Sequence, residues 1–429
     1  MNNPSSIATP QNPWILDPGK AKNLIGITCT VYYNAILFGL VSIGLFLLGC
    51  ANTPALITER SGDRELAELL ESVRVKERLP ALAAAVIIDG KIYAAAAVGT
   101  RKIGTGNWVS DDDKFIIGSC GKAFTATLAA VFVEEGHLSW HTTIKDVFPN
   151  LKMLPEYENI TIQQLLSHRA GLPKNFIANL DETRTYTPKS GRLIYLEQIV
   201  QNPLINPPDE VMLYSNAGYT LAGVMLEKIT EKTFPDIMAE KVFLPLNLNT
   251  AGYGAPADLK PLSQPWGHIS NKLSLVAVRK DYPHWLDPAG ATLGLSIKDW
   301  AKFIVAHMYL DQDTGRTLLT SKTLKKLHTP PNAATWGYSE LYFAFWRKHI
   351  GWPLTSSNYA LGWFSVKTKE GENLLTHGGT SKSFMAEVYL TADKKSAILL
   401  ATNARTSHMP LYRGAKKIKE HYSLKVNLP

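Results

Sequence analysis

Three short segments carry residue types at spacings that can do chemistry. Ser119-Cys120-Gly121-Lys122 is the only S-x-x-K in the chain, and it opens a helix-like run straight after a strand-like one. At i and i+3 the two side chains share one helix face. A serine hydroxyl is a poor nucleophile until a base takes its proton, and a lysine held neutral by desolvation and neighbouring charge can be that base. Backbone N–H groups at a helix start would meet a developing oxyanion. An N-cap serine followed by a surface lysine has the same pattern.

Tyr214-Ser215-Asn216 follows the Pro207-Pro208-Asp209-Glu210 turn and precedes a helix beginning near Ala217. A phenol and an amide two residues apart in a rigid turn can point into one pocket, the phenol relaying protons and the amide fixing a substrate carbonyl. A turn tyrosine capping the next helix is the plainer alternative, and Tyr32-Tyr33-Asn34 and Tyr157-Glu158-Asn159 match the same pattern. His377-Gly378-Gly379-Thr380 lies between two strand-like runs. Small residues there would let a substrate backbone lie along a strand edge, with one N–H completing an oxyanion hole. A Gly-rich turn with a surface histidine also fits, and His349-Ile350-Gly351 and Lys369-Glu370-Gly371 are rivals.

The elements that must position these segments show in the hydrophobic pattern. Residues 61–78 place Leu66, Leu69, Leu70 and Val73 at helical spacing behind a Ser61 cap, which predicts one amphipathic helix. ALAAAVIID and KIYAAAAVG, joined by Asp89-Gly90, predict a hairpin. Phe115 to Ile117 leads to Gly118-Ser119 and a long apolar helix from Lys122 to Glu135, closed by Gly136. From about 140 to 335 the chain reads as mostly helical with long loops, through ITIQQLLSH, LIYLEQIVQ, TLAGVMLEKITE, FPDIMAEKVF and SIKDWAKFIVAHMY. From Tyr359 strands return (YALGWFSVKT, NLLTHG, FMAEVYL, SAILLATN), before a basic closing helix around Leu411 to His421. Terminal strands sharing one sheet, with a helical insertion between them, predict an α/β fold of the α+β type. Its α/β lobe covers about 61–125 and 335–425, and its all-α lobe about 126–334. Sites in such folds lie in the cleft between lobes.

Together these segments resemble the serine β-lactamase and penicillin-binding superfamily, in its class C β-lactamase-like branch, which also holds D-amino acid peptidases and carboxylesterases. The likeness extends through FIIGSCGKAFTATLAAVFVEEGHLSWHTTIKDVFPNL, ITIQQLLSHRAGLP, PPDEVMLYSNAGYTLAGVMLEKIT, PAGATLGLSIKDWAKF, YALGWF and LLTHGGTSKSFMAEVYL, so it covers about residues 61–425. The resemblance implies an antiparallel sheet with flanking N- and C-terminal helices. It also implies a mechanism: Ser119 attacks a carbonyl to form an acyl-enzyme, and Lys122 accepts its proton or tunes its neighbours. Tyr214 protonates the leaving group and later activates water, while Asn216 holds Lys122 and the substrate amide. His377 and Gly379 line the opposite wall, and the N–H groups of Ser119 and Thr380 form the oxyanion hole. Two departures stand out. True class C β-lactamases carry lysine where this chain has His377, which weakens recognition of a lactam carboxylate at neutral pH. Ser381-Lys382-Ser383-Phe384 stands where relatives often have a Pro-Gly-Phe turn, and Lys382 is expected to face solvent.

Other residues carry blander expectations. His168 and Arg169 are read as stabilising their loop, and Trp363 as core. Trp336, Tyr338, Tyr342, Phe343, Phe345, Trp346 and Trp352 are read as packing under a long loop.

The chain has 429 residues, 45% of them hydrophobic, and three cysteines, which excludes a disordered, collagen-like or disulfide-scaffold protein. Its net charge of +8 is spread without a basic run, so no nucleic-acid partner is expected. No charged residue occurs from Asn23 to Thr58, and Ala35 to Leu48 is almost wholly apolar behind Lys20 and Lys22. That is a signal peptide or a membrane helix. It ends in Leu47-Leu48-Gly49-Cys50, which looks like the lipobox of bacterial lipoproteins with Cys50 lipidated; an uncleaved helix with an incidental Cys50 is the alternative. Residues 1–49 then form the leader or anchor, 50–60 a tether and 61–425 the hydrolase domain, held on the extracytoplasmic side of the cell envelope. Cys120 alone remains in the folded part, and no HExxH or paired-His motif suggests a metal or cofactor. The expected protein is a monomeric, exported serine hydrolase of esters or amides; alternatives are a penicillin-binding D-peptidase of cell-wall metabolism and a non-catalytic envelope-binding homologue.

Overall fold

The helix predicted behind Ser61 starts at Arg64 instead, because Ser61 is used elsewhere. Ser61–Gly62 (β1) pairs with Ala96 and Ala97, and Ser61 Oγ donates to Asp111 Oδ1 at 2.7 Å. Asp63 caps Arg64–Lys76 (α1) by accepting from Leu66 N at 2.8 Å. In Ala81–Ile88 (β2), Leu82, Ala84 and Val86 face one layer, while Ala81, Ala83, Ala85 and Ile87 face the other, all fully buried. A strand covered on both faces reads as such an unbroken apolar run. Asp89 and Gly90, at φ 48° and 71°, turn the chain into Lys91–Gly99 (β3), as the hairpin signal predicts.

The computed structural model describes residues 61–424, except 180–185, 257–261, 272–273, 280–283, 309–317, 332–334, 337–353 and 369–372, together with 426 and 428. The expected leader, the tether and Cys50 lie outside the described residues. So do Tyr32-Tyr33-Asn34, His349-Ile350-Gly351, Lys369-Glu370-Gly371 and the aromatic residues from Tyr338 to Trp352. Thr58–Pro429 forms one compact unit. Among the described residues no helix is long and apolar enough to cross a membrane.

The C-terminal strands complete the sheet: Leu354–Tyr359 (β4), Phe364–Thr368 (β5), Asn373–Thr380 (β6), Met385–Thr391 (β7) and Ser396–Thr402 (β8). Its order is β1-β3-β2-β8-β7-β6-β5-β4, with every neighbour antiparallel, so the two ends of the chain meet at β2 and β8. The run YALGWFSVKT, expected as one strand, is split by a reversal. Ala360 N donates to Trp363 O at 2.8 Å, and Gly362 takes φ 85° against Lys122 and Ala123.

One face of the sheet is covered by α1 and the closing helix, here Met409–His421 (Leu66, Leu70 and Val73 with Leu411, Ala415 and Ile418). The other face is packed by Ile297–Ala306 (α4), and Lys122–Glu134 (α2) and Asn216–Thr230 (α3) belong to the same continuous apolar core. The lobe expected to be all-α is helical in its framework but also contains short strands. Gly252–Tyr253 and Leu293–Leu295 pair alongside Phe115–Ile116, and Gly267–Ser270 pairs with Leu275–Val278. Strands of two to four residues leave too short a pattern to read.

Helix α2 is buried on all sides from Lys122 to Phe132, and β6 lies directly against its leading turn. A Cβ at Gly379 would stand 1.7 Å from Ile117 O, so only glycine permits this approach. Gly379→Ala is expected to cost about 1–3 kcal/mol or more through overpacking. Gly106→Ala, where an added methyl would meet nothing within 4 Å, should stay within about 0.5 kcal/mol of the parent. Thermal unfolding of the two variants checks the contrast.

Candidate functional site

Ser119 sits in a single 3₁₀ turn, Gly118–Gly121, that feeds straight into α2. Lys122 is fully buried, and its Nζ lies 3.0 Å from Ser119 Oγ, 2.8 Å from Asn216 Oδ1 and 3.0 Å from Ala289 O. Burial, helped by the charge of Lys174, lowers its pKa to about 7. The simple N-cap reading therefore does not describe this pair: the serine makes no side-chain cap, and the lysine is not at the surface.

Asn216 is the first residue of α3, whose N-cap Ser215 accepts from Gly218 N at 3.0 Å. The segment from His168 to Asn175 holds this helix start in place. Leu213 N donates to His168 O, Asn216 N to Lys174 O, Ser215 Oγ to Pro173 O and Asn216 Nδ2 to Asn175 Oδ1, at 2.6–2.9 Å. Arg169 donates to both the carboxylate and the carbonyl of Asp209, the loop-stabilising part expected of it. Between Leu213 and Ser215, Tyr214 lays its ring 4.9 Å from Lys122 Nζ. The rival Tyr157 is used elsewhere, its hydroxyl donating to Asn202 O at 2.9 Å.

His377 does not sit in a turn but inside β6, with its ring buried. Its Nδ1 is 2.8 Å from Gly378 O, which can only accept, so Nδ1 carries the proton and Nε2 accepts from Tyr359 OH at 3.1 Å. Burial, reinforced by Lys122, lowers its pKa to about 3, which makes it a neutral wall residue. Pairing of β5 with β6 ends at Thr376, so His377–Thr380 are paired on the β7 side only. Their other side meets the Ser119 turn. Cys120 Sγ donates to His377 O at 3.3 Å, and a Cβ at Gly118 would stand 2.6 Å from Thr380 N. The Thr380 amide is thereby placed beside the Ser119 turn. Lys382 is exposed and Trp363 buried, both as expected.

Sequence reasoning overlooked Ala289, Asn175 and Tyr359. Ala289 contributes through its carbonyl, which no side-chain pattern reports. Its loop, His284–Ala289, is tied to α2 by Thr125 Oγ1 donating to Pro288 O at 2.6 Å. Gly290, at φ 82°, lets the loop touch the backbone of Gly118 and Gly121. Behind it Arg192 pairs with Glu227 at 2.6 and 3.0 Å, both fully enclosed, with Asp287 3.9 Å from the same guanidinium. Removing one partner of such a pair strands a buried charge. Arg192→Met is expected to lower stability by about 3–5 kcal/mol, seen as an earlier urea midpoint.

The profile of the beta-lactamase family matches residues 63–423, and the chain belongs to that family. The chain is 26% identical over 375 residues to "Unguisins hydrolase ungD'" of Aspergillus campestris, covering 83% of this chain and 65% of that one. It is 22% identical to "Protein flp" of Staphylococcus aureus, covering 85% and 66%. Against "Penicillin-binding protein 4" of Amycolatopsis lactamdurans it is 31% identical over 184 residues, covering 42% and 47%. The chain thus spans less than two thirds of the length of these relatives. Among solved structures, an octameric penicillin-binding protein homologue from Pyrococcus abyssi shares the fold with a TM-score of 0.65 at 21% identity, covering 84% of this chain and 77% of that one. A beta-lactamase/D-alanine carboxypeptidase from Pseudomonas syringae does so with a TM-score of 0.63 at 19% identity, covering 83% and 99%.

Proposed function

We propose that this chain hydrolyses esters or amides through an acyl-enzyme on Ser119, with Lys122 as the base. The observation that carries this is the arrangement around Nζ. Asn216 Oδ1, whose amide nitrogen donates to Asn175, and Ala289 O are acceptors only. In a neutral amine they take both N–H bonds, which leaves the lone pair for the hydroxyl of Ser119 at 3.0 Å. Ser119 Oγ then bonds to the substrate carbonyl carbon as its proton passes to Nζ. Tyr214, against Lys122, passes that proton to the leaving group as its bond to carbon breaks. Water, deprotonated by the same groups, cleaves the acyl-enzyme, releasing the acid and restoring Ser119. The N–H groups of Ser119 and Thr380 stabilise the oxyanion, Asn216 holds the substrate amide, and His377 and Gly379 line the facing wall.

A neutral, enclosed His377 offers no cation to a carboxylate beside the scissile bond. This favours substrates without one, so esters and internal amides should outpace penicillins. The D-peptidase reading draws on the names of the relatives, and release of D-alanine from a muropeptide would establish it. Export and lipid attachment at Cys50 belong to the same proposal, supported by the uncharged stretch ending in Leu47-Leu48-Gly49-Cys50, with 61–425 as the hydrolase domain. Cys50→Ala should then move the protein from the detergent to the aqueous phase on partition. A monomer should show a mass near 47 kDa or less by light scattering.

Ser119→Ala should abolish turnover of a chromogenic short-chain ester and the acyl adduct seen by intact-mass spectrometry; unchanged turnover would refute the assignment. Protonated Lys122 has no lone pair, so kcat/KM should fall as pH drops through about 7 and level off above. Asn216→Asp sets a carboxylate against Nζ, favours the cation and should move this limb to higher pH. A limb that stays in place would count against Lys122 as the base.

A further inference from the structure

His168 lies outside the three motifs, yet it occupies the floor of the site. Only 2% of it is exposed, and its ring centroid is 4.2 Å from that of Tyr214, 4.3 Å from Tyr359 and 5.2 Å from Tyr219. Its Nδ1 accepts from Ser215 N at 3.0 Å, which places the proton on Nε2. That Nε2 is buried with no hydrogen-bond partner among the described residues, so burial of this polar atom needs another reason than its own bonding. The backbone adds a second cost, since His168 holds φ 60°, a region that non-glycine residues enter only under constraint. The same residue brackets Tyr214 through the main chain, accepting from Leu213 N with its carbonyl and from Ser215 N with its ring.

We propose that His168 is the positioning residue of Tyr214: its two bonds clamp the backbone on either side of the tyrosine, and its ring, wedged between Tyr214 and Tyr359, sets the phenol against Lys122. The inference rests on the serine-hydrolase reading above. A neutral ring suits the task, because a charged one would need Nδ1 to give up its bond to Ser215 and would put a second cation near Lys122. Burial, and after it the charge of Lys122, holds the imidazole far below its ordinary pKa.

His168→Asn tests this. Asparagine tolerates positive φ and retains an acceptor near the Nδ1 position, but it removes the wedge. Its kcat on a simple alkyl ester, whose leaving group needs a proton, is expected to fall about tenfold, about 1.4 kcal/mol, with KM within twofold. On a nitrophenyl ester, whose leaving group departs unprotonated, the loss should be smaller. In a Tyr214→Phe background, His168→Asn should cost less than twofold more, because the group it positions is gone. Equal losses with and without Tyr214, a loss confined to KM, or no loss at all would overturn the assignment. His168→Gln, which fills more of the ring's volume, carries the same cycle if the asparagine variant does not fold. A parent enzyme with no Ser119-dependent turnover would remove both readings together, whereas an active parent with additive losses would remove only that of His168.

Discussion

An amine on a flexible stem has been taken wholly out of water at Lys122, and most of the architecture around the site follows from that. A buried ammonium is costly unless every proton finds an acceptor, and a buried neutral amine still needs its donors matched. The acceptors come from three separate stretches of chain: Ser119 in the same turn, Asn216 at the start of α3, and the carbonyl of Ala289. Each must be held independently. The 168–175 segment holds Asn216, while Thr125 and the glycine contacts at Gly290 hold the carbonyl. Desolvation is therefore both the expense of the arrangement and the source of its chemistry, because it keeps a large share of the lysine unprotonated near neutral pH.

The walls of the site are made largely of backbone. Gly118, Gly121, Gly290 and Gly379 lie where two main chains touch, and a Cβ at each would stand 1.7–2.6 Å from a backbone atom of another segment. Such contacts bring amide groups to the Ser119 turn without intervening side chains. They also couple the site to the sheet, since β6 is anchored through β7 and β8 to the N-terminal hairpin. Solvation then decides charge where residue type does not. Two histidines in the site are neutral because they are enclosed and each uses one ring nitrogen as an acceptor, which makes the third motif a wall rather than a cationic anchor.

Much of this was legible in the residue order. The β2–β3 hairpin, the apolar helix behind Ser119, the helix near Ala217 and the closing basic helix all carry periodicity or turn residues that act over a few positions, and the structure places them close to the expected limits. Misjudged points were those where a distant partner competes for a local group. Ser61 looks like a helix cap, yet Asp111 and a strand of the sheet claim it. The YALGWF run alternates like a strand, but Gly362 meets the first turn of α2 there and forces a reversal.

By itself the sequence determined which side chains were available for chemistry and the elements that carry them, since spacing and propensity are local properties. Tertiary structure decided what those side chains are. The burial that sets the pKa of Lys122, the hydrogen bonds that keep His377 neutral, the carbonyl of Ala289 and the ring of His168 against Tyr214 all depend on segments far apart in the chain. Proton affinity responds to local solvation and to charges a few ångströms away. Those surroundings exist only once the chain has folded.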